Sequence, residues 1–322
     1  MSNNLNIGAV IIGRNEGQRL AQALLAAKKQ VSTIVYVDSG STDGSQDLAR
    51  SHGAEVVDLD LSQPFTAARA RNTGLARLTA RVQVPDYVQF IDGDCELQAD
   101  WIETARAFLN ARPKVAVVCG RRRERFPQAS IYNRLIDQEW ATPVGEALAC
   151  GGDALMRIDA LKEVDGFNGA MIAGEEPELC IRLRAAGWSI WRLDSEMTLH
   201  DADIQKLSQW WRRNRRAGHA FAEGAALHGL GSDHHNIRPV KSILFWAFFL
   251  PLFTIFAAVL APPWGGVLFF AWPAQVLRLA RRDGDWASAF FLTMGKFPEM
   301  QGIWDYGLHR LQGRRRGLIE YK

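Results

Sequence analysis

Thr33-Ile-Val-Tyr-Val-Asp-Ser-Gly-Ser-Thr-Asp-Gly-Ser-Gln-Asp-Leu-Ala-Arg-Ser51 decides the fold. Its first five residues are β-branched or aromatic and read as a strand buried on both faces. Asp38 ends the run, and Ser39–Gly44 supply the small residues of a tight turn. Ser45–Ser51 then reads as a short helix. The same unit recurs on either side. Leu5–Ile12 predicts a strand, and Glu16–Lys29 a helix with Leu20, Ala23, Leu24 and Ala27 on one face. Ala54–Leu59 and Tyr87–Ile91 predict two more strands, with a helix at Thr66–Ala80 between them. Strands alternating with helices imply right-handed crossovers and a mostly parallel, Rossmann-like α/β sheet flanked by helices. Ligands of such sheets bind at the carboxyl ends of the strands. The turns at Arg14–Glu16, Asp38–Gly44 and Asp92–Glu96 all fall there. Farther on, Val115–Cys119 and Trp188–Leu193 predict strands, and Glu175–Ala186 and Gln205–Ala226 helices.

Composition narrows the class. A net charge of +3 over 322 residues gives no reason to expect nucleic acid. Basic clusters at Arg121–Arg125, Arg212–Arg216 and Arg314–Arg316 read either as contacts to anionic lipid headgroups or as solvated faces. Cys95, Cys119, Cys150 and Cys180 form no C-x-x-C pair, which argues for a reducing compartment. The N-terminus has no basic stretch followed by a long apolar run, so a cytoplasmic catalytic part is expected.

Near residue 240 the chain changes character. Ser242–Leu277 carries no charged side chain and no histidine, but is broken by Pro251, Pro262, Pro263, Gly265 and Gly266. A spanning helix needs about 20 apolar residues. Ile243–Ala261 suffices and Trp264–Leu277 falls short. Arg238 and Lys241 precede the segment, and Arg278, Arg281 and Arg282 follow it. Positive charge at both ends favours a helical hairpin that dips into the bilayer with both ends cytoplasmic. The competing reading is a buried core hairpin. The expected division is 1–235 for the α/β domain, with a nucleotide-binding part at 1–112 and an acceptor part at 113–235, and 236–322 for a hydrophobic helical membrane-associating segment.

Three acidic elements carry chemistry. In Phe90-Ile-Asp-Gly-Asp-Cys-Glu96, Asp92 and Asp94 lie one residue apart at a strand end. Carboxylates this close repel unless a cation lies beside them. Mg²⁺ or Mn²⁺ takes oxygen ligands and bridges carboxylates to substrate phosphates. Asp38 begins a turn suited to a base or ribose. Arg71 is a candidate for a diphosphate contact. Asn15 and Glu16 are candidates for capping the first helix or for the donor site. Glu175 and Glu176 open a helix, where carboxylates are favoured electrostatically, or supply a general base that deprotonates an attacking hydroxyl. His200 follows the last predicted strand, where a lone histidine is more often structural.

In their order, Val10-Ile-Ile-Gly-Arg-Asn-Glu16, Val37–Gly44, Ala70-Arg-Asn-Thr-Gly74, Phe90–Asp94, Asp165-Gly-Phe167 and Gly174-Glu-Glu-Pro-Glu-Leu179 resemble the family 2 glycosyltransferases. The resemblance spans roughly 5–220. It implies a GT-A fold, a nucleoside-diphosphate sugar donor, a divalent cation and inversion at the anomeric carbon. It assigns Asp38 to the donor base, Asp92 to ribose and phosphate, and Asp94 to the metal, with His200 as the late histidine that completes the metal site in some GT-A enzymes. It assigns Glu176 to the catalytic base, where the family has aspartate, with Glu175 as the alternative. The family's Q-x-x-R-W motif is scrambled here as Gln209-Trp-Trp-Arg-Arg-Asn-Arg-Arg216. The tail resembles membrane-associated bacterial members that build exopolysaccharide or lipid-linked glycans. The expected partners are therefore a UDP-sugar, a glycan or polyprenyl-linked acceptor, and the cytoplasmic face of the inner membrane. Two competing readings are a sugar nucleotidyltransferase and a non-catalytic membrane scaffold. The first would want a Gly-rich basic loop after strand one, which Gly13-Arg-Asn-Glu16 does not provide.

Overall fold

The structure is a computed structural model that describes residues 7–262 and 264–313. Leu5, Pro263 and the basic cluster Arg314–Arg316 lie outside the described residues. The chain divides into two compact units, Met1–Asp203 and Ile204–Lys322. The boundary falls earlier than the expected 235, so the long helix starting at Leu207 belongs to the second unit.

The first unit opens as the pattern requires: β1 (Ile7–Gly13), α1 (Gln18–Lys28), β2 (Thr33–Asp38), α2 (Ser45–Ser51), β3 (Glu55–Asp58), α3 (Ala67–Thr79) and β4 (Tyr87–Asp92). These strands form a parallel β3-β2-β1-β4 array. Register places Gly13 opposite Asp38 and Ile12 opposite Asp92, so the two aspartates flank the carboxyl end of β1. Val10, Ile11, Tyr36, Val37, Phe90 and Ile91 are fully buried. Gly74 of α3 lies so close to Val10 that a Cβ would overlap it, which lets the helix seat tightly on the sheet.

The second half of this unit departs from a purely parallel sheet. Its elements are β5 (Cys95–Leu97), α4 (Trp101–Ala111), β6 (Val115–Glu124), α5 (Ile131–Glu139), β7 (Gly145–Ala147), β8 (Ala154–Arg157), α6 (Ile158–Glu163), α7 (Glu175–Ala185) and β9 (Ser189–His200). The order is β3-β2-β1-β4-β8-β6-β9-β5, with β7 beside β9. β8 is antiparallel to both β4 and β6, β6 runs parallel to β9, and β5 and β7 are antiparallel to β9. The sheet is therefore mixed. β6 and β9 both run well past the predicted ends, and their ends reach the carboxyl edge of β4. β9 pairs His200 with Cys95 on one side and with Glu124 on the other.

In the second unit, α8 (Leu207–His228) packs against the helix Lys296–Leu311. Gly218 and Gly302 permit the approach, since a Cβ at either would overlap the opposite backbone. Arg215 donates to both carboxylate oxygens of Asp305, at 2.5 and 2.9 Å. A helix at Ile237–Leu260 is long and apolar enough to cross a membrane, and only 17% of its apolar window is buried. This exposure disfavours the core-hairpin reading. Pro251 lacks an N–H and crowds the carbonyl four residues earlier. The helix accommodates it with a wide turn at Phe245–Phe249, in which the Leu250 N–H reaches the Phe245 carbonyl. After Leu260 the chain folds back. Gly265 abuts the backbone of Ala257, and Trp272 Nε1 donates to the Trp246 carbonyl at 3.3 Å.

Candidate active site

Arg71 of α3 is the hub of the acidic residues. It is 2% exposed and holds Asp92 Oδ1 at 2.9 Å, Glu175 Oε1 at 2.7 Å and Glu176 Oε1 at 2.8 Å. One cation thus joins the end of β4 to the start of α7. This differs from the expected diphosphate contact, because both terminal nitrogens of Arg71 are engaged by carboxylates. The neighbouring Asn72 positions the surroundings. Its side chain accepts from Phe167 N and donates to Phe167 O, at 2.9 and 2.7 Å. Phe167 in turn packs edge-on against Phe90 and under the Arg71 guanidinium.

Asp92 is held from a second direction. Arg122 reaches its Oδ2 at 3.3 Å, and buried Asp153 accepts its backbone N–H at 3.0 Å. Thr198 donates to the other oxygen of Asp153 at 2.8 Å. Burial alone would raise the Asp92 carboxyl, but Arg71, then Arg122, hold it well below the usual carboxylate range. Glu176 goes the other way. Burial, then the neighbouring Glu175 charge, push it up to about 7, against the pull of Arg71. Glu175 is buried on Arg71, whereas the Glu176 side chain keeps 14% exposure. Two adjacent carboxylates on the same Arg71 nitrogen therefore differ in environment: Glu175 is the more deeply buried, and Glu176 has a proton affinity near neutrality. Gly152 leaves the necessary space. A Cβ there would sit 2.8 Å from Arg71 Nη2, 2.9 Å from Asp92 Oδ2 and 3.3 Å from Glu176 Oε1.

Asp94 meets His200 through the β5–β9 pairing. Asp94 Oδ2 lies 3.3 Å from His200 Nε2. Two ligands at right angles and about 2.1 Å from a divalent cation would lie about 3 Å apart. The pair therefore fits adjacent positions on one cation. An imidazole beside a carboxylate suits Mn²⁺ at least as well as Mg²⁺. Cys95 Sγ is near both groups. Burial raises its thiol well above the usual range, so it stays protonated and is a poor ligand. Burial, then Arg122, lowers His200 from its ordinary value, which keeps the imidazole neutral and able to bind metal near pH 7.

Asp38 closes the other end of the site. It is 1% exposed and accepts from Gly40 N and Ser41 N, at 3.0 and 2.8 Å, from Gln46 Nε2 and from the Tyr36 hydroxyl. Burial would raise it, but these bonds, led by Ser41, lower it. Asn15 accepts from Thr42 N at 2.8 Å, and its own N–H donates to Ser41 Oγ. This ties the turn after β1 to the turn after β2. Glu16 pairs with Arg19 at 2.9 Å and borders Gly93, where a Cβ would press on the Ile12 carbonyl and Glu16 Cγ.

Arg122, Glu124, Trp140, Gly152 and Asp153 were missed by sequence reasoning. Arg122 and Glu124 sit inside the cluster Arg121–Arg125, where an anionic surface or solvent was expected. Instead Arg121 pairs with Asp137, Arg123 with Glu196 and Arg125 with Glu96. A signal for Asp153 was present in Cys150-Gly-Gly-Asp153, where paired glycines precede a carboxylate. Gln209 falls outside the first unit; its side chain caps α8 by accepting from Gln205 N and Lys206 N, at 2.9 and 3.0 Å.

Residues 9–164 match the model of glycosyl transferase family 2. The succinoglycan biosynthesis protein ExoA of Rhizobium meliloti is 29% identical over 188 residues, covering 56% of this chain and 57% of that protein. The glycosyltransferase AglE of Haloferax volcanii is 22% identical over 267 residues, covering 78% of this chain and 84% of that protein. The chain thus spans little more than half the length of the first relative. Among solved structures, the mannosyltransferase PcManGT from Pyrobaculum calidifontis, in complex with GDP-Man and Mn²⁺, shares the fold with a TM-score of 0.64 at 18% identity. The likeness covers 94% of this chain and 88% of that one.

Proposed function

We propose that this chain, whose residues 9–164 are a family 2 glycosyltransferase domain on a GT-A fold, moves a sugar from a nucleoside-diphosphate sugar to an acceptor hydroxyl with inversion. The observation that carries the proposal is the single arginine, Arg71, that gathers Asp92, Glu175 and Glu176 at one edge of the sheet.

In this reading Asp38 and the linked turns after β1 and β2 receive the base and ribose of the donor. Asp94 and His200 hold a divalent cation, Mn²⁺ or Mg²⁺. When bound, that cation neutralises charge developing on the diphosphate. Asp92, kept ionised by Arg71 and Arg122, orients the ribose–phosphate side. Glu176 takes the proton from the acceptor hydroxyl as its oxygen attacks the anomeric carbon. Attack comes from the face opposite the departing diphosphate, so the configuration inverts. A base with a proton affinity near pH 7 is matched to that step.

In this reading the enzyme sits on the cytoplasmic face of a membrane, where a polyprenyl-linked or growing glycan supplies the hydroxyl; the exposed apolar helix Ile237–Leu260 supports it. The naming of ExoA for succinoglycan biosynthesis supports a glycan acceptor. UDP-sugars are the first donors to try. GDP-mannose is the second, because the Pyrobaculum mannosyltransferase binds it. The test is release of nucleoside diphosphate from a panel of donors with and without Mn²⁺. Release that needs metal and is lost in Glu176→Gln supports the proposal. No turnover of any donor, with or without membrane extract as acceptor source, refutes it.

A further inference from the structure

We infer that Glu124 is the positioning residue of the cation site, acting through His200. The inference rests on the proposed metal role of Asp94 and His200 and extends it to a residue in neither the acidic motif nor the helix that bears the base.

Glu124 ends β6, is 3% exposed, and is paired across the sheet with His200. Donors converge on both of its oxygens. Oε1 accepts from Phe126 N at 3.2 Å and from Asn133 Nδ2 at 3.4 Å. Oε2 accepts from Ala202 N at 3.0 Å and lies 3.4 Å from His200 Nδ1. A carboxylate held this way can only accept, so when a cation takes the Nε2 lone pair the neutral ring keeps its one proton on Nδ1, toward Glu124. Nε2, 3.3 Å from Asp94 Oδ2, is the nitrogen on the cation side. The ring plane is fixed from the side as well. Trp140 meets it edge-on at 4.7 Å, and the Arg122 guanidinium stacks on Trp140 at 4.7 Å. The backbone N–H groups of Phe126 and Ala202 keep the carboxylate in place, so His200 has a rigid partner on the side away from the cation.

A Gln at 124 cannot reproduce this. With its amide NH₂ toward His200, it favours the tautomer that puts a proton on Nε2, where the metal should bind. With the amide turned the other way, the NH₂ faces the Phe126 N–H.

The test uses the full chain in detergent and a titration with Mn²⁺ at fixed UDP, followed by the electron paramagnetic resonance of free Mn²⁺. Glu124→Gln should weaken Mn²⁺ binding by about 10- to 100-fold. UDP binding without metal should stay within about twofold of wild type. Wild-type Mn²⁺ affinity in a folded Glu124→Gln protein overturns the inference and leaves the metal site standing. Failure of the wild-type protein to bind Mn²⁺ overturns both. A measurement that needs no variant is ¹⁵N NMR of wild type with Mg²⁺ and UDP. A proton on His200 Nδ1 supports the inference, and a proton on Nε2 refutes it.

Discussion

Replacing Glu176 with Gln should raise stability above neutral pH while nearly abolishing transfer. Moving a glutamate from its ordinary 4.5 to about 7 corresponds to on the order of 3 kcal/mol of preference for the protonated form. A raised folded value means the native state holds a proton that the unfolded chain has already released between pH 4.5 and 7. The corresponding stability is fully present below 4.5 and is lost as pH rises through 7. At pH 8 the enzyme therefore carries a destabilising charge. Glu176→Gln removes that charge, although it also gives up the 2.8 Å contact with Arg71 as an ion pair. The net gain should be smaller than the full shift, about 1 kcal/mol. Catalysis moves in the opposite direction. With Glu176 as the proposed base, only its ionised form accepts the hydroxyl proton, so kcat/KM should fall tenfold per pH unit below about 7 and level off above it. Neutral His200 does not confuse this limb, since its own titration is displaced to lower pH. Loss of the base should cost about 10²- to 10⁴-fold in rate. Urea denaturation at pH 5 and pH 8, beside the pH profile of transfer, tests both halves. A flat profile between pH 5.5 and 8 would show that Glu176 is not the group that takes the proton.

Three further outcomes are expected. Asp94→Ala should eliminate the Mn²⁺-dependent part of UDP binding measured by calorimetry; unchanged binding would remove Asp94 from the cation site. Arg71→Met should cost about 3–5 kcal/mol in urea unfolding at pH 8, because it leaves Asp92, Glu175 and Glu176 clustered without their shared cation; a smaller loss at pH 5, where Glu176 is protonated, would confirm the electrostatic cause. Combined Phe249→Asp, Phe253→Asp and Phe256→Asp changes on the exposed helix should abolish flotation with vesicles of phosphatidylethanolamine and phosphatidylglycerol, and persistent flotation would place the membrane contact elsewhere.

The first four strands were legible because each is a buried apolar run closed by a turn signal. The positions of Asp38 and Asp92 follow from that alone. Asp92 and the Glu175–Glu176 pair were legible as chemistry but not as neighbours, since nothing local shows that Arg71 lies between them. β8 was hidden because it inserts between β4 and β6 out of chain order, and with it Gly152 and Asp153. The arginine cluster misled for a different reason. Irregular register around Arg121 breaks the alternation that separates inner from outer side chains. Arg122 and Glu124 therefore look like their solvent-facing neighbours until the partner strand is in place.

The β5–β9 pairing has a consequence for how the molecule comes into being. Asp94 is synthesised more than a hundred residues before His200, and β9 is the last strand to emerge among the described residues. A nascent chain can complete the parallel β3-β2-β1-β4 half and still lack the Asp94–His200 pair. If Asp94 and His200 hold the cation as proposed, a chain terminated before β9 lacks that site.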